Sequence, residues 1–90
     1  MRAKRVDVNQ KEIVQALRQL GATVTDLSGV GQGCPDLLVG FKKHTYLIEI
    51  KRDNKAKFTQ QQVKWHNDWQ GGTVSRIESI DEAVALVNSV

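Results

Sequence analysis

The sequence has little of what secreted disulfide-rich, zinc-binding or membrane-spanning proteins need. Its one cysteine, Cys34, excludes an internal disulfide and any cysteine-rich zinc site. The longest apolar run is the five residues of 83–87, and a membrane-spanning helix needs roughly 20. The N-terminus has charges but no apolar stretch of the kind that marks a secretory signal. These absences together favour a cytoplasmic protein.

Length and apolar content predict one folded domain over residues 1–90. Ninety residues are too few for two independent hydrophobic cores. Leu, Ile, Val and Phe make up 25 of the 90 residues. That share exceeds the roughly 20% below which disorder becomes the default interpretation. The chain is therefore expected to bury a core of its own.

Positive charge is concentrated in one central stretch. The formal net charge is only +3, but residues 42–57 carry six basic and two acidic side chains. Clustered Lys and Arg can follow a phosphate backbone, and a solvated surface loop can have the same composition. Charge alone leaves both interpretations open. The candidate DNA-binding residues are Lys42, Lys43, Arg52, Lys55 and Lys57, with Arg2, Lys4 and Arg5 as a second basic group.

Apolar periodicity and turn residues predict seven elements in the order α-β-β-β-α-β-α. The predicted helices span 9–20, 59–70 and 81–90, and the predicted strands span 22–27, 36–41, 45–51 and 73–78. Asn9 is predicted to cap the first helix, with Glu12 at its third position and Gly21 at its end. The fold class is α/β, with helices packed on one mixed sheet.

Three charged residues near one predicted hairpin form the most informative pattern. Asp36 opens one strand, and Glu49 and Lys51 lie on one face of the next because side chains alternate along a strand. Two close carboxylates repel each other unless a cation lies between them, and hard oxygen ligands suit Mg²⁺ or Mn²⁺. Such a metal polarises a phosphodiester, and an ammonium can position the attacking water. An isolated Glu-x-Lys is commonly a surface pair. Proline-aspartate after a glycine-rich loop, thirteen residues before Glu-x-Lys, is much more specific.

Pro35-Asp36 followed by Glu49-Ile50-Lys51 resembles the PD-(D/E)xK nuclease signature. The longer pattern resembles the small stand-alone VRR-NUC domains of phages and bacteria. It adds Glu12, residues 33–38, Thr59 to Gln62, Trp65-His66 and Gly71-Gly72. The resemblance implies a restriction-endonuclease-like core. It also implies a metal-dependent DNA endonuclease that uses Mg²⁺ or Mn²⁺.

The same resemblance implies a role for each matching residue. Asp36, Glu49 and the carbonyl of Ile50 would hold the metal, Lys51 would orient or activate water, and Gln62 would complete the site. Glu12 would add a carboxylate from the first helix. A glutamate at that helix position can equally form a capping box without any catalytic role.

The resemblance also implies partners. Single-domain relatives act as homodimers on four-way DNA junctions, so a homodimeric Holliday-junction-resolving nuclease is expected, in the host cytoplasm if a phage encodes it. No nucleotide cofactor is expected, because no G-x-G-x-x-G or Walker pattern opens a helix. Trp65 and Trp69 share a helix face and are expected in the core or at a dimer seam. Two other functions stay open, namely a non-catalytic nucleic-acid-binding module and a nuclease subunit that needs a partner protein.

Overall fold

The computed structural model describes residues 8–89, which form three helices and four strands in the predicted order. The elements are α1 (Val8–Gln19), β1 (Thr23–Asp26), β2 (Leu37–Phe41), β3 (His44–Ile50), α2 (Gln60–Asp68), β4 (Val74–Ile77) and α3 (Ile80–Val87). The predicted elements are all present, and only their ends differ. Within residues 8–89, no helix has the length and apolar character needed to cross a membrane. Arg2, Lys4 and Arg5 lie outside the described residues.

The four strands form one mixed sheet in the order β1-β2-β3-β4. The first three are antiparallel neighbours, and β4 runs parallel to β3, which requires the crossover that α2 supplies. Lys42 and Lys43 form the turn between β2 and β3 with φ angles of 51° and 69°. Two consecutive positive φ angles are typical of a two-residue hairpin turn. The turn therefore consists of Lys42 and Lys43 alone, and His44 is the first residue of β3. The hairpin on which the site prediction depended is therefore present.

One face of the sheet forms the core with α1 and α3. The buried apolar side chains are Ile13, Leu17, Ala22, Val24, Leu37, Val39, Ile48, Ile50, Ile77, Ala83 and Val87. Because side chains alternate along β3, Glu49 points to the opposite face of the sheet from Ile48 and Ile50. Helix α2 lies on that second face, where Gln62 contacts Glu49. The sheet thus separates an apolar core from a polar layer beneath α2.

The start of α1 differs from the prediction. The helix begins at Val8, so Asn9 is inside it and does not cap it. Asn9 Nδ2 instead donates to the backbone oxygens of Lys51 at 3.2 Å and Glu78 at 3.4 Å. A cap would use Asn9 Oδ1 to accept a backbone N–H of its own helix, and within residues 8–89 that oxygen has no hydrogen-bond partner. The cap prediction for Asn9 is wrong, and the capping-box role of Glu12 is wrong with it.

Candidate active site

A cavity of about 440 Å³ opens where β2 begins and β3 ends. Asp36, Glu49, Lys51 and Gln62 all contribute to its lining. The hairpin register pairs Leu37 with Ile48, so Asp36 comes next in line opposite Glu49. The structure therefore brings these four predicted site residues together in one place.

Asp36 is held at the mouth of the cavity by the backbone of β3. Its backbone N–H donates to the Ile48 carbonyl at 3.0 Å, and its carboxylate Oδ2 accepts the Ile50 N–H at 2.8 Å. On a strand, the N–H and C=O of one residue point to the same side. The Ile50 carbonyl therefore lies on the Asp36 side of β3, and Ile50 also lines the cavity.

Glu49 is a carboxylate almost entirely withdrawn from solvent, with 2% of its surface exposed. Its Oε2 accepts a hydrogen bond from Gln62 Nε2 at 3.0 Å and lies 3.7 Å from Lys51 Nζ. A buried charge is costly unless it has hydrogen bonds and an opposite charge nearby. The amide and the ammonium together provide both, so Glu49 is stabilised in its buried position.

Gln62 links the site to the start of α2. Its Oε1 accepts a hydrogen bond from Lys51 Nζ at 2.8 Å and another from the Thr59 N–H at 2.9 Å. The Thr59 Oγ1 accepts the Gln62 N–H in return at 3.1 Å, which completes a capping box. One side-chain amide thus caps the helix and connects the two charged residues of β3. The contacts of Gln62 with Lys51 and Glu49 therefore depend on the first turn of α2.

Helix α1 presents Gln10, and not Glu12, to the cavity. Gln10 is 5% exposed and lines the cavity, and its Nε2 donates to Asp26 Oδ1 at 3.4 Å. Glu12 is exposed and lines a separate depression with Glu78 and Asp81. Gln10 shares the buried helix face with Ile13 and lies three residues before it, while Glu12 falls on the opposite side. The placement of Glu12 in the site is corrected on this ground, and the same spacing in the sequence could have identified Gln10.

The candidate DNA-binding residues separate into two groups. Arg52 lines the cavity, and Lys55 and Lys57 are exposed in the loop that follows it. Lys42 and Lys43 form the hairpin turn at the other end of β3. The seven residues of β3 span six steps of about 3.4 Å each, so the two groups, which lie beyond its two ends, are separated by more than about 20 Å. The basic stretch of the sequence is therefore not one continuous patch.

Gly33 connects the loop before Asp36 to α2. Its φ is +86°, and a Cβ atom there would lie 2.2 Å from the backbone oxygen of Gln61. Only glycine allows this conformation and this closeness at once. The glycine-rich loop therefore packs directly on the first turn of α2, next to Gln62. The pattern of glycines in the sequence predicted a loop but gave no sign of this contact.

The donor atoms at the cavity suit a hard divalent cation. Carboxylate and carbonyl oxygens are the ligands that Mg²⁺ and Mn²⁺ prefer. Asp36 and Glu49 bring two carboxylate groups to the cavity, and the Ile50 carbonyl is beside them. Over residues 8–89 there is no group of three His, Cys, Asp or Glu side chains that could hold a metal. A bound ion would therefore need backbone or amide oxygens and water to complete its coordination.

Comparisons with known proteins point to one domain type. No family model matches the sequence, and no curated protein matches it. One similar solved structure is described as "VRR_NUC domain". It is 29% identical with a TM-score of 0.70, and the match covers 88% of this chain and 89% of that chain. The predicted element order, the mixed sheet and the resemblance found in the sequence are thereby confirmed. This match supports a VRR-NUC domain, and with it a nuclease domain with a restriction-endonuclease-like fold, for the chain.

Proposed function

We propose that this domain, as one unit over residues 1–90, is a metal-dependent endonuclease that hydrolyses phosphodiester bonds in DNA. The observation that carries the proposal is the convergence of Asp36, Glu49 and Lys51 at one cavity. A buried ion pair with satisfied hydrogen bonds commonly stabilises a fold no more than well-packed apolar residues do, so a purely structural strand has no need of Glu49 and Lys51. The solved VRR_NUC domain structure supports the same reaction class.

Each side chain of this site has its own proposed role in phosphodiester hydrolysis. Asp36, Glu49 and the Ile50 carbonyl would hold Mg²⁺ or Mn²⁺. When bound, such an ion supplies a Lewis acid and makes a water molecule a better nucleophile at neutral pH. Lys51 Nζ then donates to the attacking water or to the phosphate oxygens, where negative charge grows in the transition state. Gln62 keeps both Lys51 and Glu49 in place for these roles.

The DNA backbone would be held by the basic residues at the cavity and by those at the hairpin turn at the other end of β3. Arg52 at the cavity and the nearby loop residues Lys55 and Lys57 would neutralise phosphates next to the scissile bond. The hairpin turn at Lys42 and Lys43 would contact a phosphate further along, or a second arm of a branched substrate. The separation of the two basic groups favours a DNA substrate that extends across the sheet and is not confined to the cavity.

A homodimer is the assembly that fits the exposed apolar surface. Leu38, Val63 and Trp69 are 38%, 45% and 40% exposed, and Trp65 stacks on Trp69 with centroids 4.9 Å apart. Helix α2, which contains Trp65, has no buried residue, and Trp69 immediately after it is exposed, so neither tryptophan is part of the core. Burial of this surface in a two-fold dimer would present two active sites to one DNA. The preferred substrate is then a four-way junction, which has matching two-fold symmetry.

The test is cleavage of a labelled four-way junction beside a linear duplex of matched sequence. Wild type, Lys51→Ala and Asp36→Ala are each assayed with Mg²⁺, Mn²⁺ or EDTA, and sedimentation gives the oligomeric state. Paired symmetric nicks on the junction, lost with EDTA and in both variants, support the proposal. Equal cleavage of both substrates would retain the nuclease and remove the junction preference. A monomeric mass with full activity would overturn the dimer.

Two outcomes would replace the catalytic proposal. Junction binding that survives EDTA and Asp36→Ala without any cleavage would indicate a nucleic-acid-binding module. Cleavage that appears only when cell lysate is added, and that still requires Lys51, would indicate a nuclease subunit completed by a partner protein.

A further inference from the structure

Phe58, which no sequence motif singled out, lies beside the ammonium group of Lys51. The Lys51 Nζ is 5.3 Å from the centroid of the Phe58 ring. The ring also contacts His66, with centroids 4.7 Å apart and planes inclined at 46°. Phe58, in the loop immediately before the Thr59 cap, is thus in contact with both helix α2 and the ammonium.

The ring offers the ammonium an attraction of a different kind from its other neighbours. The face of a phenyl ring attracts a cation electrostatically, and the attraction grows when water is excluded. The side chain of Lys51 is only 12% exposed. Gln62 and Glu49 each attract Lys51 Nζ through one side-chain oxygen atom. The ring restrains the ammonium without requiring a directed hydrogen bond, so an N–H stays available for water or phosphate.

We propose that Phe58 is a positioning residue for the hydrolysis. Its ring face holds the Lys51 ammonium at the position from which Nζ can donate to the attacking water. The inference rests on the proposed function, because it assigns Phe58 to a lysine whose reactive role is part of that proposal. Phe58 itself is not among the residues that line the cavity. It affects the reaction only by setting the position of Lys51 Nζ.

The experiment replaces Phe58 with phenylalanines that carry one, two or three ring fluorines. Fluorine withdraws electron density from the ring face and weakens cation binding, while ring size changes little. We expect kcat on DNA to fall steadily along the series, by about three- to tenfold at three fluorines. KM for DNA and the melting temperature should stay at wild-type values. Phe58→Leu should reach the low end of the same series.

The chain contains a matched control. Lys42 Nζ lies 5.2 Å from the centroid of the Phe41 ring, at the hairpin turn remote from the cavity. The same fluorine series at Phe41 should leave kcat unchanged. In the metal-free protein, the NMR signals of the Lys51 ε-methylene protons should show a ring-current shift that Phe58→Leu removes.

The outcomes separate this inference from the proposed function. If fluorination at Phe58 leaves kcat unchanged while Lys51→Ala abolishes cleavage, the positioning role is overturned and the proposed nuclease activity stands. Full activity of Lys51→Ala would overturn the lysine's reactive role and the Phe58 inference with it. If Phe58→Leu fails to fold, the fluorinated variants still decide the question, because they retain the ring. Absence of the ring-current shift in wild type would also contradict the proposal.

Discussion

Lys51 donates a hydrogen bond from Nζ to Gln62 Oε1 at 2.8 Å, across the junction between β3 and α2. The same oxygen accepts the Thr59 N–H at 2.9 Å as part of the helix cap. Formation of the helix start and assembly of the charged site therefore depend on one side chain. Changes to the cap are expected to alter activity, and changes to the site are expected to alter helix stability.

Replacement of Gln62 tests this coupling directly. Gln62→Ala removes one half of the capping box, and we expect it to cost about 1 kcal/mol of stability. It also releases Lys51 and leaves the buried Glu49 with one fewer donor, so DNA cleavage should fall by at least about tenfold. Urea unfolding and a cleavage assay measure the two effects. The nearby Gln60→Ala, on an exposed side chain that does not line the cavity, should change neither quantity. A loss of stability at normal cleavage rate would contradict the coupling.

Gly33 is expected to tolerate no side chain. Gly33→Ala would bring a methyl group against the Gln61 backbone and force a non-glycine residue to a φ of +86°. We expect a loss of about 2 kcal/mol or more in the free energy of unfolding, together with a weaker Gln62 network. Gly29→Ala is the control, since nothing lies within 4 Å of the added atom. Equal stability of the two variants would show that the loop does not pack on α2 as described.

Gln10, and not the predicted Glu12, is the α1 side chain that lines the cavity. We expect Gln10→Ala to weaken Mn²⁺ binding by about tenfold, because it removes a polar side chain from the cavity lining. Glu12→Ala should leave Mn²⁺ affinity within twofold of wild type, because its side chain is exposed at a separate depression. Isothermal titration with Mn²⁺ measures both affinities. The reverse ranking would restore Glu12 to the site.

Removal of metal should lower thermal stability. A ligand that binds only the folded state at 100 times its Kd adds about 2.7 kcal/mol. We therefore expect Mn²⁺ to raise the Tm of wild type and EDTA to reverse the rise. Asp36→Asn should abolish the response without preventing folding, because an amide can still accept the Ile50 N–H. The same rise in Asp36→Asn would place the ion elsewhere.

His66 provides a pH-dependent measure of the Lys51 charge. Burial lowers the pKa of His66 below its ordinary 6.5, and the positive charge of Lys51 lowers it further. Below pH 6.5, His66 therefore binds a proton more readily in the unfolded chain than in the folded one. The contribution of neutral His66 to the free energy of unfolding is fully present above that pH and is lost as the pH falls towards the folded-state pKa. Lys51→Met should raise the pKa of His66 in an NMR titration. His66→Gln should flatten the loss of stability on acidification. A His66 pKa that is the same in Lys51→Met would contradict the contribution of Lys51.

Local patterns in the sequence were sufficient for the order of the elements and for the core of the site. Alternation along one strand put Glu49 and Lys51 on one face, and the short hairpin turn brought Asp36 opposite Glu49. Both follow from backbone geometry over a few residues, which sequence spacing determines. Gln62 was accessible through the resemblance to VRR-NUC domains. The roles of these residues in metal binding and hydrolysis stay predictions.

Tertiary structure alone decided which neighbours complete the site. Asn9 could cap a helix or bond to a distant carbonyl, and only the packing of α1 against the ends of β3 and β4 selected the second. The same docking turned Gln10 inward and Glu12 outward. The contact between Phe58 and Lys51, and the contact of Gly33 with α2, join segments whose proximity depends on where the crossover helix settles on the sheet. The sequence determined which local structures form, because neighbouring residues suffice for them. It did not by itself reveal contacts between distant segments, because these depend on the packing of the whole domain.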